Sequence, residues 1–403
     1  MTDTTIGAVR RTASATVFPV IFAVSLCHLL NDVMQSLLAA IYPMLKTDYA
    51  LDFWQIGLLT FTFQVTASLL QPAIGFYTDK RPMPQSLPFA MASTMAGLLL
   101  LAYATTYPLL LAGAAMIGIG SAIFHPEASR VARLASGGRY GLAQSLFQVG
   151  GNFGTAIGPL LAAFIVVPRG QASVAWFSLV ALLGMVILRQ VGNWYGRYNA
   201  ANAGRPAASR TLPISRNRVV MSIVVLALLM FSKNTYTASI TSYYTFFLIE
   251  RFDVSVQQSQ MMLFLFLGAM ALGTVLGGPF GDRFGSKTVI WFSILGVLPF
   301  TLALPYADLF WSGVLTILIG VILASAFPAI VVFAQELVPG RVGMIAGIFF
   351  GMAFGIGGIA AAVLGVLADA KGIEFVYWLC SLLPFLGLLT VFLPSMKELR
   401  PGR

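Results

Sequence analysis

Twelve runs of mainly apolar residues, each long enough to cross a bilayer as a helix, restrict this chain more than any other feature. They cover 17–44, 54–77, 86–105, 108–130, 141–167, 172–195, 218–246, 257–280, 287–306, 310–337, 342–367 and 374–394. A spanning helix needs about 20 such residues. Backbone inside lipid must satisfy its own hydrogen bonds, so the runs are expected to be helices, whereas a β-barrel would show short alternating segments. The breaks between them carry turn chemistry and charge, as in Asp79-Lys80-Arg81-Pro82, Ser136-Gly137-Gly138-Arg139 and Pro339-Gly340-Arg341. Composition agrees: 9% of residues are charged and 58% hydrophobic, against about 25% charged in a soluble domain. The first run has no convincing cleavage site and reads as a spanning helix, not a removable signal. Cys27 and Cys380 lie inside apolar runs and read as buried free thiols.

The net charge of +10 marks topology here, not nucleic acid. With the N-terminus in the cytoplasm, 19 of the 24 Lys and Arg fall on that side. Four fall outside (Lys46, Arg169, Arg251, Lys371), and Lys233 lies within a helix. The positive-inside rule therefore favours cytoplasmic N- and C-termini, and the expected location is the inner membrane.

The longest polar stretch, from Gly196 towards Arg218, follows the sixth run and divides the chain into residues 1–195, a basic cytoplasmic linker over 196–217, and residues 218–403. The halves resemble one another. Gly75 and Asp79 match Gly278 and Asp282 at an offset of 203, as Gln55 matches Gln258. Gly118, Pro126 and Gly138 match Gly320, Pro328 and Gly340 at 202. The expected fold is an all-α membrane protein of twelve transmembrane helices in two pseudo-symmetric six-helix bundles, with a binding site at the midplane between them.

Glycine, three residues, aspartate and then a basic residue, after the second helix of each half (Gly75 to Lys80; Gly278 to Arg283), resembles the signature of the major facilitator superfamily. The first copy departs from it at Pro82. Gly154-Thr155-Ala156-Ile157-Gly158-Pro159 resembles part of that superfamily's antiporter signature. Ser25 to Asp32, Phe124 to Arg133, Ala135 to Arg139, Gln148 to Gly154 and Gln335 to Arg341 together resemble the fosmidomycin resistance protein family over nearly the whole chain. That resemblance implies a secondary transporter that exports an antibiotic phosphonate by proton antiport.

Charged groups deep in a spanning helix are candidate functional sites by default. His28 and Asp32, four apart, share one face of the first helix near its middle, with Asn31 and Gln35 beside them. They suit proton uptake and release; a static polar contact between helices is the alternative. Lys233, halfway along the seventh helix, is almost the repeat mate of Asn31 and Asp32 (offsets 202 and 201). A buried ammonium needs a partner: Asp32 when the site is empty, an anionic substrate when it is loaded, or a permanent structural pair. Tyr236 and Tyr243 follow Lys233 at helical spacing as candidate donors to that anion, and Gln148 and Asn152 form a polar stripe on the fifth helix. His125, Glu127 and Arg130 mark the cytoplasmic end of the fourth helix, as a proton step and gate or as interfacial charge. Glu336 is expected to pair with Arg341. Asp79 and Asp282 are expected to latch the inner face on neighbouring helix N-termini, with Arg283 and Lys287 completing a charge network. Gly154, Gly158 and Pro159 suit close contact, and a sliding seal if that contact lies between the halves.

Neither a metal site nor an organic cofactor is expected, since the two histidines are far apart in sequence and the proton gradient is the energy source. The chain lacks the constellation of an enzyme and the phosphate-cradling motif of an ATP-driven pump. The expected partners are a small anionic solute, protons and the bilayer, with the chain as a monomer. Uptake by symport of a small anionic metabolite, or a non-transporting receptor or scaffold, are the competing readings.

Overall fold

The computed structural model describes residues 15–51, 53–202, 214–254 and 256–399, and no strand occurs among them. We number the long helical segments α1 (Phe18–Ala40), α2 (Phe53–Lys80), α3 (Ser86–Tyr103), α4 (Tyr107–Ala135), α5 (Tyr140–Leu161) and α6 (Gln171–Ala201). After these come α7 (Arg216–Phe252), α8 (Val256–Phe284), α9 (Ser286–Tyr306), α10 (Leu309–Leu337), α11 (Val342–Lys371) and α12 (Ile373–Phe392). Of the expected linker, 203–213 lies outside the described residues, while α6 runs on to Ala201 and α7 begins at Arg216.

Ten helices long and apolar enough to cross a membrane occur among the described residues: α1, α3, α4 and α6 to α12. The other two, α2 and α5, are rich in polar side chains. α2 carries Thr60, Thr62, Gln64, Thr66, Ser68, Gln71 and Thr78, and α5 carries Gln144, Ser145, Gln148, Asn152 and Thr155. Both pack against the opposite half of the chain. The outer faces of the bundle are the reverse of a soluble surface: Leu69, Phe164, Phe310 and Val391 are each at least 70% exposed, and a surface of such side chains suits lipid tails.

The packing repeats. α1 lies on α5 as α7 lies on α11, α2 lies on α4 as α8 lies on α10, and α3 lies on α6 as α9 lies on α12. Two seams join the halves in the same pattern, α2 against α11 and α8 against α5. Small residues set the closest crossings. At the α3–α4 crossing a Cβ on Gly97 would lie 2.7 Å from the Gly113 carbonyl and 2.9 Å from the Ile117 nitrogen. Backbone cannot yield there as a flexible side chain would. Gly97→Ala is therefore expected to destabilise the protein by about 1–3 kcal/mol, the usual range for overpacking. Thermal unfolding of the detergent-purified chain measures it, and an unchanged midpoint would show that the crossing has slack.

Candidate functional site

The two seams are pinned at one end of the bundle by matched carboxylates. Both oxygens of Asp79, on α2, accept backbone N–H groups at the start of α11, from Gly343 and Met344, each at 2.9 Å. Both oxygens of Asp282, on α8, accept from Gly141 and Leu142 at the start of α5, again at 2.9 Å. Each aspartate caps a helix of the other half, where free N–H groups and the helix dipole favour an anion. The caps need close backbone approach, and glycines supply it: a Cβ on Gly278 would strike Ser145 Oγ at 2.5 Å, and one on Gly141 would lie 2.6 Å from the Gly278 carbonyl.

Around Asp79 the latch grows into a charge network. Arg130 donates to Asp79 (2.7 Å), Thr78 Oγ1 (2.9 Å) and the Gly75 carbonyl (3.2 Å), and it pairs with Glu127. Arg133 crosses between the halves to Glu336 and to Gln335 Oε1 (3.2 Å). Glu336 thus pairs across the seam with Arg133; the guanidinium of Arg341, its expected partner, lies 4.7 Å over the Phe76 ring. Around Asp282 the expected cations are turned elsewhere. Lys287 donates to the Leu393 carbonyl, and Arg283 lies over Phe284 at 5.3 Å.

Above the latches, towards the other end, a cavity of about 200 Å³ lies between the halves. His28, Asp32, His125, Gln148, Asn152, Thr155, Lys233, Thr274, Phe327, Phe350 and Phe354 are among its lining residues. The seam beside it is closed low and open high. On one face of α11, Gly343 and Gly347 would meet the backbone of Gly75 and Gln71, and Gly351 would lie 2.7 Å from the Ser68 carbonyl. One turn further on, a Cβ at Gly355 would meet nothing within 4 Å. The α2–α11 seam is thus tight at the latched end and has lost this contact by Gly355.

On one wall sit two histidines and an aspartate. His28 Nδ1 is 2.7 Å from the Phe147 carbonyl and His125 Nδ1 is 2.9 Å from the Ser121 carbonyl. A carbonyl only accepts, so each Nδ1 bears the hydrogen and each Nε2 presents a lone pair when the ring is neutral. The two Nε2 atoms are 3.2 Å apart. Asp32 lies 3.4 Å from the first and 3.7 Å from the second. Asn31 donates to Asp32 at 3.1 Å, and Gln35 ties Asp32 (3.5 Å) to Ser121 (3.1 Å). The rings are clamped by aromatic neighbours: His28 stacks on Phe147 at 4.1 Å, and His125 touches Phe350 and Phe354 of α11 at 5.1 and 5.5 Å. Gly151 leaves the room, since a Cβ there would be 2.5 Å from the His28 ring.

This cluster corrects the expectation that no metal-ligand group would form because the histidines are distant in sequence. α1 packs on α4, and the contact cancels a separation of 97 residues. It also separates His125 from Glu127, which were expected to act together: His125 faces the cavity, while Glu127 is buried in the latch with Arg130.

Lys233 stands on the other half, 8% exposed. Its ammonium donates to Asn234 Oδ1 at 3.3 Å and sits 5.6 Å over the Phe327 ring. Among the described residues it forms no ion pair, so the expected resting pair with Asp32 is absent. Gln148 donates to Asn152 (3.2 Å), and Asn152 donates across the seam to Thr274 of α8 (3.1 Å). Tyr236 and Tyr243 do not line this cavity, which corrects their expected place there. Tyr236 is buried in the core of the second half with Tyr244 and Tyr377, and the Tyr243 hydroxyl donates to the Ala361 carbonyl at 2.5 Å. Helical spacing after Lys233 turned them away from the seam. Gly154 and Gly158 pack on α1, against Leu29 and Ser36 of their own half, not between halves. The Pro159 side chain lies outside the described residues. Phe327, Phe350, Phe354 and Thr274 line the site without a distinguishing sequence signal, being apolar or small residues on apolar helices.

The sequence pattern of the Major Facilitator Superfamily matches residues 24–255 and 235–402. The chain is 58% identical to the fosmidomycin resistance protein of Escherichia coli K12, over 97% of each chain. It is 42% identical to an uncharacterised MFS-type transporter, YfnC, of Bacillus subtilis 168, over 96% of this chain and 95% of that one. Among solved structures, the human organic anion transporter MFSD10 (TETRAN) shares the fold, with a TM-score of 0.77 at 19% identity over 94% of this chain and all of that one.

The latch geometry makes a local prediction. Asp79→Asn keeps the volume but removes the charge from both N–H contacts and from Arg130. Charge-assisted hydrogen bonds contribute about 1.5–3 kcal/mol each, so amides at the start of α11 are expected to exchange hydrogen at least about tenfold faster. Asp282→Asn should do the same at the start of α5 and leave α11 unchanged. Peptide-resolved hydrogen–deuterium exchange reads both; equal protection in variant and parent would remove the caps from the account.

Proposed function

Because this chain belongs to the major facilitator superfamily and is a member of the fosmidomycin resistance protein family, we propose that it exports a small anionic, phosphonate-like drug in exchange for protons. The observation that carries the proposal is Lys233: a buried ammonium facing a cavity, with one neutral hydrogen bond and no carboxylate partner among the described residues. Burying a charge without a counter-ion is costly, and an anion in the cavity removes that cost. A lysine suits a compact phosphonate as a point charge, and Asn152 and Thr155 of the first half add hydrogen-bonding groups to the same cavity. A cavity of about 200 Å³ is below the usual range for drug-sized ligands, about 300–1,000 Å³. That favours a small solute over bulky amphiphilic drugs.

In this reading twelve helices cross the bacterial inner membrane with both termini inside, α2 and α5 hiding their polar faces between the halves. The latched end is then cytoplasmic, where the basic residues lie, and the cavity opens outward. External protons reach His28, His125 and Asp32. One proton between the two Nε2 lone pairs turns a repulsive contact into a hydrogen bond and compensates Asp32. Opening inward requires both aspartate caps and the Arg133–Glu336 pair to break, with the outer parts of α2 and α11 closing in their place. Exchange also requires that proton and anion occupy the site in turn, and a small cavity with both sites on its walls supports such exclusion.

Charge favours a second reading. A bound proton attracts a bound anion, which suits uptake by symport. Proteoliposomes enclosing a pH-sensitive dye separate the two. On addition of fosmidomycin outside, exchange makes the lumen alkaline and symport makes it acidic. Lys233→Ala is expected to abolish proton movement of either sign, and Asp32→Asn to abolish coupling. A folded Lys233→Ala protein that still moves protons at the parent rate would sink the assignment of the anion site.

A further inference from the structure

We propose that His28, His125 and Asp32 form a binding site for a divalent transition-metal cation of the zinc class, open on its cavity side. The inference does not rest on the substrate or on the direction of proton coupling. It begins from the tautomers. Both Nδ1 atoms are committed as donors to backbone carbonyls, at 2.7 and 2.9 Å. In metal sites a ligating histidine donates its other N–H to a carbonyl or carboxylate in this way, which fixes the ring and aims its lone pair. Here both lone pairs converge with a carboxylate, and all three side chains are buried.

The spacing fits an ion. With metal–nitrogen bonds of about 2.0–2.1 Å, two ligands of a tetrahedral zinc stand about 3.3 Å apart. The Nε2 atoms are 3.2 Å apart, and Asp32 oxygens lie 3.4 and 3.7 Å from them. The supporting contacts are present as well. Asn31 and Gln35 hold Asp32 Oδ1, Phe147 stacks on His28, and Gly151 leaves the space the ring occupies. Two imidazoles and one carboxylate suit zinc, cobalt or nickel; calcium and magnesium prefer sets of oxygen ligands. Three protein ligands leave a fourth position. Gln148 also lines the cavity, and its buried Oε1 has no hydrogen-bond partner in the described structure. A water or an anionic oxygen of a solute completes the coordination there.

The test uses the full-length chain, purified in detergent with no histidine tag and stripped with a chelator. Co²⁺ alone is titrated while its visible ligand-field absorption is recorded, and Zn²⁺ is then added to displace it. One Co²⁺ per chain with bands of tetrahedral or five-coordinate intensity, displaced by Zn²⁺ and not by Mg²⁺, is the expected result. His28→Gln and His125→Gln are each expected to weaken binding by more than the roughly 100-fold that loss of an outer partner costs, with Asp32→Asn shifting the bands. Size-exclusion profile and circular dichroism establish that each variant is folded. Where a histidine variant fails that check, Asp32→Asn, which keeps the side-chain volume, carries the comparison. The proposal is overturned if the folded parent shows no ligand-field bands at a several-fold excess of Co²⁺, or if the folded variants bind as the parent does.

Discussion

A carboxylate that caps a helix belonging to the other half of the molecule is the contact on which the rest of the arrangement depends. Asp79 and Asp282 each use both oxygens on consecutive N–H groups at the second and third positions of the helix they cap. Free N–H groups at a helix start must find acceptors, and the acceptors come from across the seam. The caps therefore set the register of α2 on α11 and of α8 on α5 at once. Every group higher in those seams inherits that register, including the Asn152–Thr274 hydrogen bond and the aromatic contacts of His125 with α11.

The two latches share one backbone pattern, and at Asp79 Arg130 of α4 adds a charge pair; the residue 202 positions after Arg130 is Val332. The Arg133–Glu336 pair stands on the same side of the molecule. Each such contact is a local interaction that reversibly gives up a few hydrogen bonds, which suits a joint that must open. Within the first half, glycines bring α1 onto α5 and α3 onto α4 at close range, and such continuous packing suits a body that moves as a unit.

The cavity is asymmetric. One half contributes a compact titratable cluster whose rings are fixed by backbone carbonyls and aromatic faces; the other contributes a lone ammonium beside Phe327. His125 is one link between them, since its ring touches both the cluster and Phe350 and Phe354 of the second half. Phe350 and Phe354 belong to α11, the helix whose N-terminus Asp79 holds.

The sequence by itself determined the solvent, the helices and the repeat. Apolar run length leaves few structures for a chain in lipid, and a glycine–aspartate signature recurring at one offset survives because it serves the same backbone contact twice. It also marked Asp32, Lys233, Asp79 and Asp282, because charge in apolar surroundings is conspicuous in one dimension. It did not determine partners. The joining of His28 to His125, the Arg133–Glu336 pair and the separation of His125 from Glu127 depend on which helix faces pack together, and sequence distance carries no information on that. Tyr236 and Tyr243 show the same limit from the other side: helical spacing relates residues along one helix, but only the neighbouring helices decide whether that face meets a cavity or a core.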